Sequence, residues 1–441
     1  VYSKRILFGY TLKMLKQAEA LRKDNQAVLD YLMQVINSDI MPAFRKFEGC
    51  PYYAVYSFKD VGEKRKAISV LRRKKIMAQY WPDLPEDIRN KEFDAVKELA
   101  GNLILVPNHQ GIRPSQLAKL VSTRNIDKKG ISLKLVSDKS GKREWREVTS
   151  QIRLTNIPQD WQYGRVKAKQ EHWTVKRFIV VKGEKPIGVL QILVKKVLGF
   201  PYIIRINRGP LLIPEFDNIE TAVAVLDQLK KLYRFPVLKV AALNIPFSAY
   251  SLAVAVKNGW RQWNPYGFSS GVIDLEQTEE DIRKGLNSKW RNQLVSSEKR
   301  GLVLKTGKER FEEMIDIYEN EQKIKGFCGV PTGILYGLLE LKKCPLDILY
   351  IESEQEEIIA FDIFYSTSNF GLYLVGWNGE QGRKCYANNF LLYQAALLLK
   401  GRGVKWLELG GIDYIETEEN ALFKSGMNPE MYRLLGEFYS F

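Results

Sequence analysis

Histidine and cysteine are scarce in this chain: His109, His172, Cys50, Cys328, Cys344 and Cys385 are all there is among 441 residues. No two cysteines have C-x-x-C spacing, and two imidazoles cannot complete the usual zinc ligand sets. The sequence thus argues against a metal centre and against a cysteine–histidine nucleophile, and leaves the thiols to packing or surface positions. Long apolar runs are missing too. None approaches the roughly 20 residues that span a bilayer, and Val1-Tyr-Ser-Lys-Arg5 lacks the apolar core of a signal peptide. The reading is a cytoplasmic protein. Because residue 1 is valine, the chain can equally be the downstream part of a longer polypeptide.

What is present suits a folded protein, with 45% hydrophobic and 12% aromatic residues. The length fits two or three domains of about 100–200 residues each. Lysine and arginine number 67 against 51 acidic residues, a net charge of +16. Such an excess favours a polyanionic partner, for instance a phosphate-bearing substrate. It also serves plain solubility, and composition does not separate the two.

The first 127 residues read as a small α/β domain. A helix over Thr11–Ile36 carries Leu15, Ala18, Leu21, Ala27, Leu29, Leu32 and Val35. A strand at Tyr52–Phe58 follows Gly49-Cys-Pro51, then a helix at Glu63–Arg73, a break at Tyr80–Pro85 and a strand at Gly101–Val106. A last helix is expected over Pro114–Arg124. The Arg22–Asn25 segment, Pro51-Tyr-Tyr-Ala54, Trp81-Pro-x-Leu-Pro85 and Leu103-Ile-Leu-Val-Pro-Asn-His-Gln110 together resemble the C-terminal small domain of DegT-type, PLP-dependent sugar aminotransferases. That resemblance implies PLP only where an upstream large domain supplies the Schiff-base lysine, because no counterpart of it lies in this chain.

Beyond a boundary near residue 127 the order of elements occurs twice. Strands at Arg177–Val181, Lys185–Val197 and Tyr202–Arg208 precede a helix at Ile219–Tyr233, a strand at Val237–Leu243 and a helix ending at Lys257–Trp260. Strands at Leu346–Ser353, Glu357–Ser366 and Phe370–Trp377 precede a helix at Asn388–Lys400, a strand at Lys405–Gly410 and a helix ending at Lys424–Met427. Gly376 follows Gly209 by as many residues as Gly426 follows Gly259, so the copies are in step. Gly259 and Gly426 suit helix stops that need positive φ. The expected class is α/β (α+β), with two tandem GNAT-like domains over 128–306 and 307–441.

Between the copies lies Leu286-Asn-Ser-Lys-Trp-Arg-Asn-Gln-Leu294, continuing through Glu298-Lys-Arg-Gly-Leu302. It reads as a basic amphipathic helix in which Arg291 can clamp phosphate bidentately. A merely solvated basic face is the other reading.

Lys289-Trp-Arg-Asn-x-Leu with Glu298-Lys-x-Gly-Leu resembles the signature between the two halves of the FemABX aminoacyl (peptidyl) transferases. Gln159-Asp-Trp-Gln-Tyr-Gly-Arg-Val-Lys167 with Trp173, Arg208-Gly-Pro210, Gly376-Trp377 with Arg383 and Ala387-Asn388, Leu409-Gly-Gly-Ile-Asp413 and Phe423-Lys-x-Gly426 extend it in order. Met427 stands where an aromatic is common, and the coiled-coil insertion of some members is absent.

The resemblance implies transfer of an amino acid from aminoacyl-tRNA to an amine on a nucleotide- or lipid-linked acceptor, as in peptidoglycan precursors of the cell wall. It implies that Lys167 and Arg291 hold the acceptor's phosphates, with Lys289, Arg208, Arg383 and Asn388 around the substrate. Lys424 would sit by the reacting carbonyl or the tRNA end. Such chemistry needs a neutral amine, a stabilised oxyanion and an aligned donor. Lys424 can stabilise developing negative charge, and Asp413 or Glu408 can accept a proton. Structural charges are the plain reading of all three. No cofactor is expected in this chain.

Acyl-CoA is the alternative donor. However, Asn378–Asn388, with Gly379 and Gly382, lacks the Gln/Arg-x-x-Gly-x-Gly/Ala spacing of CoA-dependent GNAT proteins. A third reading is a non-catalytic binding or dimerisation scaffold. Homodimerisation and peripheral contact with a membrane stay open, and the DegT-like segment suggests that an upstream domain makes the amino sugar this part would acylate.

Overall fold

The computed structural model describes residues 2–36, 41–42, 53–80, 102–109, 111–121, 132–137, 141–234 and 236–441, with side chains in the first helix from Lys13 onward. Two compact units emerge, one of residues 1–130, 245–266 and 435–440, the other of residues 131–244, 267–434 and 441.

In the first unit the helix Tyr2–Ile36 buries Val28, Leu29, Leu32 and Met33 at helical spacing. Leu15 and Val35, expected on the apolar face, are instead exposed. The buried face includes Asn25, whose side-chain amide donates to the carbonyls of His109 (3.2 Å) and Ile112 (2.8 Å). Apolar periodicity cannot show a polar residue that belongs to the core because it ties down a loop.

Strands Met41–Pro42, Tyr53–Ser57, Leu103–Pro107 and Gln79–Tyr80 form an antiparallel sheet in that order. The helix Val61–Arg73 is capped by Asp60, which accepts from the Glu63 amide at 2.9 Å. The helix expected over Pro114–Arg124 is shorter, Pro114–Ala118. The Gly49–Tyr52 segment, the Trp81–Pro85 turn and the linker around residue 127 lie outside the described residues. The helix Ala249–Lys257, capped by Ser248, and the antiparallel pair Arg261–Asn264 with Glu437–Ser440 also belong to this unit.

The second unit carries the repeat. Thr174–Lys182, Lys185–Val197 and Phe200–Asn207 run antiparallel, Leu133–Ser137 adds to the edge, and Leu238–Ala242 lies parallel to Phe200–Asn207. In the other half Leu346–Glu352, Ile358–Ser366 and Phe370–Asn378 run antiparallel, and Trp406–Glu408 lies parallel to Phe370–Asn378. Parallel neighbours need a long crossover, supplied by helix Ile219–Leu232 in one half and Ala387–Gly401 in the other. The repeated hairpin–helix–strand order read from the sequence is therefore the architecture of this unit.

One strand changes sides. Ser269–Asp274 precedes the basic helix in sequence, yet it joins the second sheet, antiparallel to both Trp406–Glu408 and Glu430–Arg433. An alternating pattern identifies a strand but not the edge it pairs with. Strand Ile358–Ser366 is buried along nearly all its length. It has helix Ala387–Gly401 on one face, through Leu391, Ala395 and Leu399, and Phe311, Met314 and Ile315 on the other.

Candidate functional site

Within the apolar run Ile358-Ile-Ala-Phe-Asp-Ile-Phe-Tyr365 stands one acid, Asp362, and it is fully buried. The hydroxyl of Tyr373, on the adjacent strand, donates to Asp362 Oδ1 at 2.8 Å. The other carboxylate oxygen has no hydrogen-bond partner among the described residues. Burial pushes the Asp362 carboxyl well above the usual carboxylate range, against the opposing pull of Tyr373 and Lys424. Gly376 lies opposite Asp362 in the ladder, and a Cβ there would come within 1.8 Å of the Tyr373 hydroxyl oxygen and 2.7 Å of Asp362 Oδ1. A glycine is required because this polar pair fills the space of a side chain.

Lys424, on helix Glu418–Ser425, points into the same region and is 7% exposed. Its Nζ donates to the Gly411 carbonyl at 2.9 Å and lies 5.3 Å from the centre of the Tyr373 ring. Burial lowers its pKa to about 8, with Asp362 and Glu408 opposing the drop. Asn388, in the first turn of helix Ala387–Gly401, is half-buried, and its side-chain oxygen has no hydrogen-bond partner among the described residues. Lys424, Tyr373 and Asp362 thus form one buried polar cluster in the second repeat.

Arg208 was expected among the substrate contacts. The structure assigns it to the fold. Its Nη1 and Nη2 donate to the two oxygens of Glu408 at 2.8 and 3.2 Å, and Nη2 also donates to the Tyr432 hydroxyl at 2.8 Å. Arg208 is 8% exposed, Glu408 0%, and the guanidinium sits 4.5 Å from the Phe268 ring centre. A fork held bidentately in a buried site is committed to its partner. It clamps the end of strand Phe200–Asn207 to strand Trp406–Glu408 of the other half.

The remaining expected residues are dispersed. Lys167 pairs at 2.5 Å with Glu171 one helical turn on, so its charge is compensated. Arg291 and Lys289 lie on helix Ser288–Lys299, Lys289 exposed and Arg291 half-buried with a long 3.4 Å bond to the Lys284 carbonyl. Exposed Arg383 donates to the Asn378 carbonyl at 2.6 Å. Exposed Asp413 accepts from the amides of Ile415 (2.8 Å) and Glu416 (3.0 Å), closing the turn before the Lys424 helix. No hydrogen bond, ion pair or ring contact among the described residues joins Lys167 or Arg291 to Lys424.

The two family-like segments around Trp290 and Gly426 do meet. Gly426 has φ −64°, so it is not the left-handed stop expected from the sequence, whereas Gly259 is, at φ +79°. Gly426 is needed for a different reason: a Cβ would lie 2.3 Å from Trp290 Cδ1. Trp290 is 3% exposed and its ring is 6.2 Å from that of Phe423. Gly426→Ala is expected to lose about 1–3 kcal/mol by overpacking. Urea melts would show this, and Trp290→Leu in the same chain should return much of the loss.

A cavity of about 510 Å³ opens elsewhere in this unit, lined by Lys142, Arg146, Trp145, Asp160, Trp161 and Lys343 among others. Burial, then Arg146, Arg165 and Lys343, lower the pKa of Lys142, with only Asp160 acting in the other direction. The sequence reading missed this cavity because its cations come from stretches far apart in the chain. It also missed Asp362 and Tyr373, although a lone acid inside a strand otherwise apolar on both faces was a legible signal.

No protein-family model matches the sequence, and no curated protein matches it. Among solved structures, one described as FemX aligns at 14% identity with a TM-score of 0.55, covering 67% of this chain and 94% of that one. A conserved protein of unknown function from Bacteroides thetaiotaomicron aligns at 10% identity and TM-score 0.46, covering 67% and 95%. A tandem GNAT protein from the clavulanic acid biosynthesis pathway aligns at 10% and 0.39, covering 70% and 98%. The last two likenesses are too low to carry weight. The first shows that the chain shares the fold of that FemX structure.

Proposed function

We propose that the protein is an amide-forming transferase that moves an aminoacyl group from aminoacyl-tRNA to an amine on a phosphate-bearing, nucleotide- or lipid-linked sugar or peptide. The observation that carries this reading is Lys424, a buried cation in the second repeat beside the Tyr373–Asp362 pair. In the step itself the acceptor nitrogen bonds to the ester carbonyl carbon, the ester C–O bond breaks, and the ribose oxygen leaves and gains a proton. The Lys424 ammonium stabilises the oxyanion, in a low-dielectric setting where a fixed charge counts most. Asp413, two residues beyond the Gly411 carbonyl that Lys424 holds, accepts the proton that the amine loses and passes it to the leaving ribose oxygen.

Arg291 with Lys289 is our candidate for the acceptor's phosphate, and the cavity lined by Lys142, Arg146 and Lys343 offers a second anionic subsite. Against acyl-CoA, Gly379 and Gly382 are occupied by packing. Cβ atoms there would come within 3.1 and 2.4 Å of the Ile359 carbonyl oxygen, which speaks for tight packing and not for an open phosphate cradle.

The test supplies labelled aminoacyl-tRNA or acyl-CoA together with nucleotide-linked amino sugars and follows label into an alkali-stable amide. Product from aminoacyl-tRNA is expected. Product from acyl-CoA alone would overturn the donor assignment, and acceptor binding without product from either donor would favour a scaffold.

A further inference from the structure

The hairpin between strands Lys185–Val197 and Phe200–Asn207 outruns its sheet. Val194 is the last residue of the first strand paired to Thr174–Lys182, and Ile203 is the first of the second strand paired to Leu238–Ala242. Residues 195–202 therefore form a two-stranded ribbon reaching about 10 Å beyond its neighbours at about 3.3 Å per residue. Its tip is apolar: Leu198 is 92% exposed, Phe200 76%, Val197 56% and Tyr202 42%. The turn residues Leu198 and Gly199 have φ of +49° and +83°, as in a type I′ turn, where Asn or Asp ordinarily precedes Gly. Leu198 is thus unfavourable twice, as a bulky side chain in left-handed backbone and as an apolar group in water.

Cations gather at the base of the ribbon. Lys196 is exposed at the second position beyond the last residue paired to Thr174–Lys182, while Lys195 donates to the carbonyls of Glu171 (2.6 Å) and His172 (3.1 Å) and lies over Trp173 at 4.8 Å. Exposed Lys169 and Lys176 lie on the adjoining helix and strand. An apolar tip about 10 Å long with exposed lysines behind it matches the charge order of an anionic bilayer surface, acyl chains first and phosphates next. Tyr202, part-way down, suits the headgroup level. A protein groove could take Leu198 and Phe200, but gives no reason for the exposed lysines behind them.

We infer that residues 195–202 are a peripheral membrane contact that inserts Leu198 and Phe200 into an anionic lipid bilayer. Co-flotation of the full chain with vesicles of phosphatidylcholine alone and of phosphatidylcholine with 30% phosphatidylglycerol tests it. Binding to the anionic vesicles is expected. Leu198→Ser with Phe200→Ser should weaken it about 100-fold, and Lys196→Glu about tenfold, with thermal melts unchanged because these side chains are exposed. Vesicle binding that the serine variant retains would overturn the proposal. So would absence of binding, including the case in which sedimentation shows a dimer that the same variant disperses.

Discussion

Replacing Lys424 by methionine is expected to lower amide formation about 10²–10³-fold, the usual loss when an oxyanion donor is removed. The wild-type rate should fall as pH rises through about 8, where the buried ammonium loses its proton. Lys424→Arg keeps a cation at every working pH, so a reduced rate without that alkaline fall would separate charge from packing.

Stability carries the same signature with the opposite sign. Lys424 binds its proton less readily in the folded chain than in the unfolded one, so between about pH 8 and 10.5 the unfolded state holds more protons and stability rises with pH. The gain is about 3 kcal/mol across that window. Asp362 acts in reverse: its folded carboxyl keeps a proton that the unfolded chain releases above the ordinary range, so its contribution is present in acid and lost as pH climbs. Urea melts against pH should lose the alkaline rise in Lys424→Met and the acid-side fall in Asp362→Asn. Unchanged profiles in both would sink the assignment of this cluster.

The second large effect is expected at Arg208 and Glu408. Removing either partner leaves the other charge buried and unpaired, and Arg208→Met or Glu408→Gln should each cost about 3–5 kcal/mol. The double change Arg208→Met with Glu408→Leu should cost much less than the sum, because apolar groups of similar size can replace a buried pair. Additive losses would show that the pair is not a unit. A double variant that still makes product would place Arg208 in the clamp between the halves and outside substrate binding.

Much of the second unit could be read in advance. Strands at Lys185–Val197 and Phe370–Trp377 and the helix at Ile219–Tyr233 fall within a residue or two of their places. The pairing of Lys167 with Glu171 was also legible, as opposite charges four residues apart on a helix, and it undercuts Lys167 as a free phosphate ligand. The buried cluster was less so. Lys424 was singled out from its motif and Glu408 was named beside it, but Asp362, the other acid acting on its proton affinity, is on a strand far upstream and was not sought.

What the amino-acid order determined by itself is local: hydrophobic period, helix caps, turn residues and the repetition of one chain plan, each a matter of neighbours within a few residues. The edge that Ser269–Asp274 joins, the clamp of Arg208 on Glu408 and the Trp290 ring that makes Gly426 necessary were decided only in three dimensions. They depend on contacts between residues far apart in the chain, and close packing and buried charge select those contacts only once the sheets have formed.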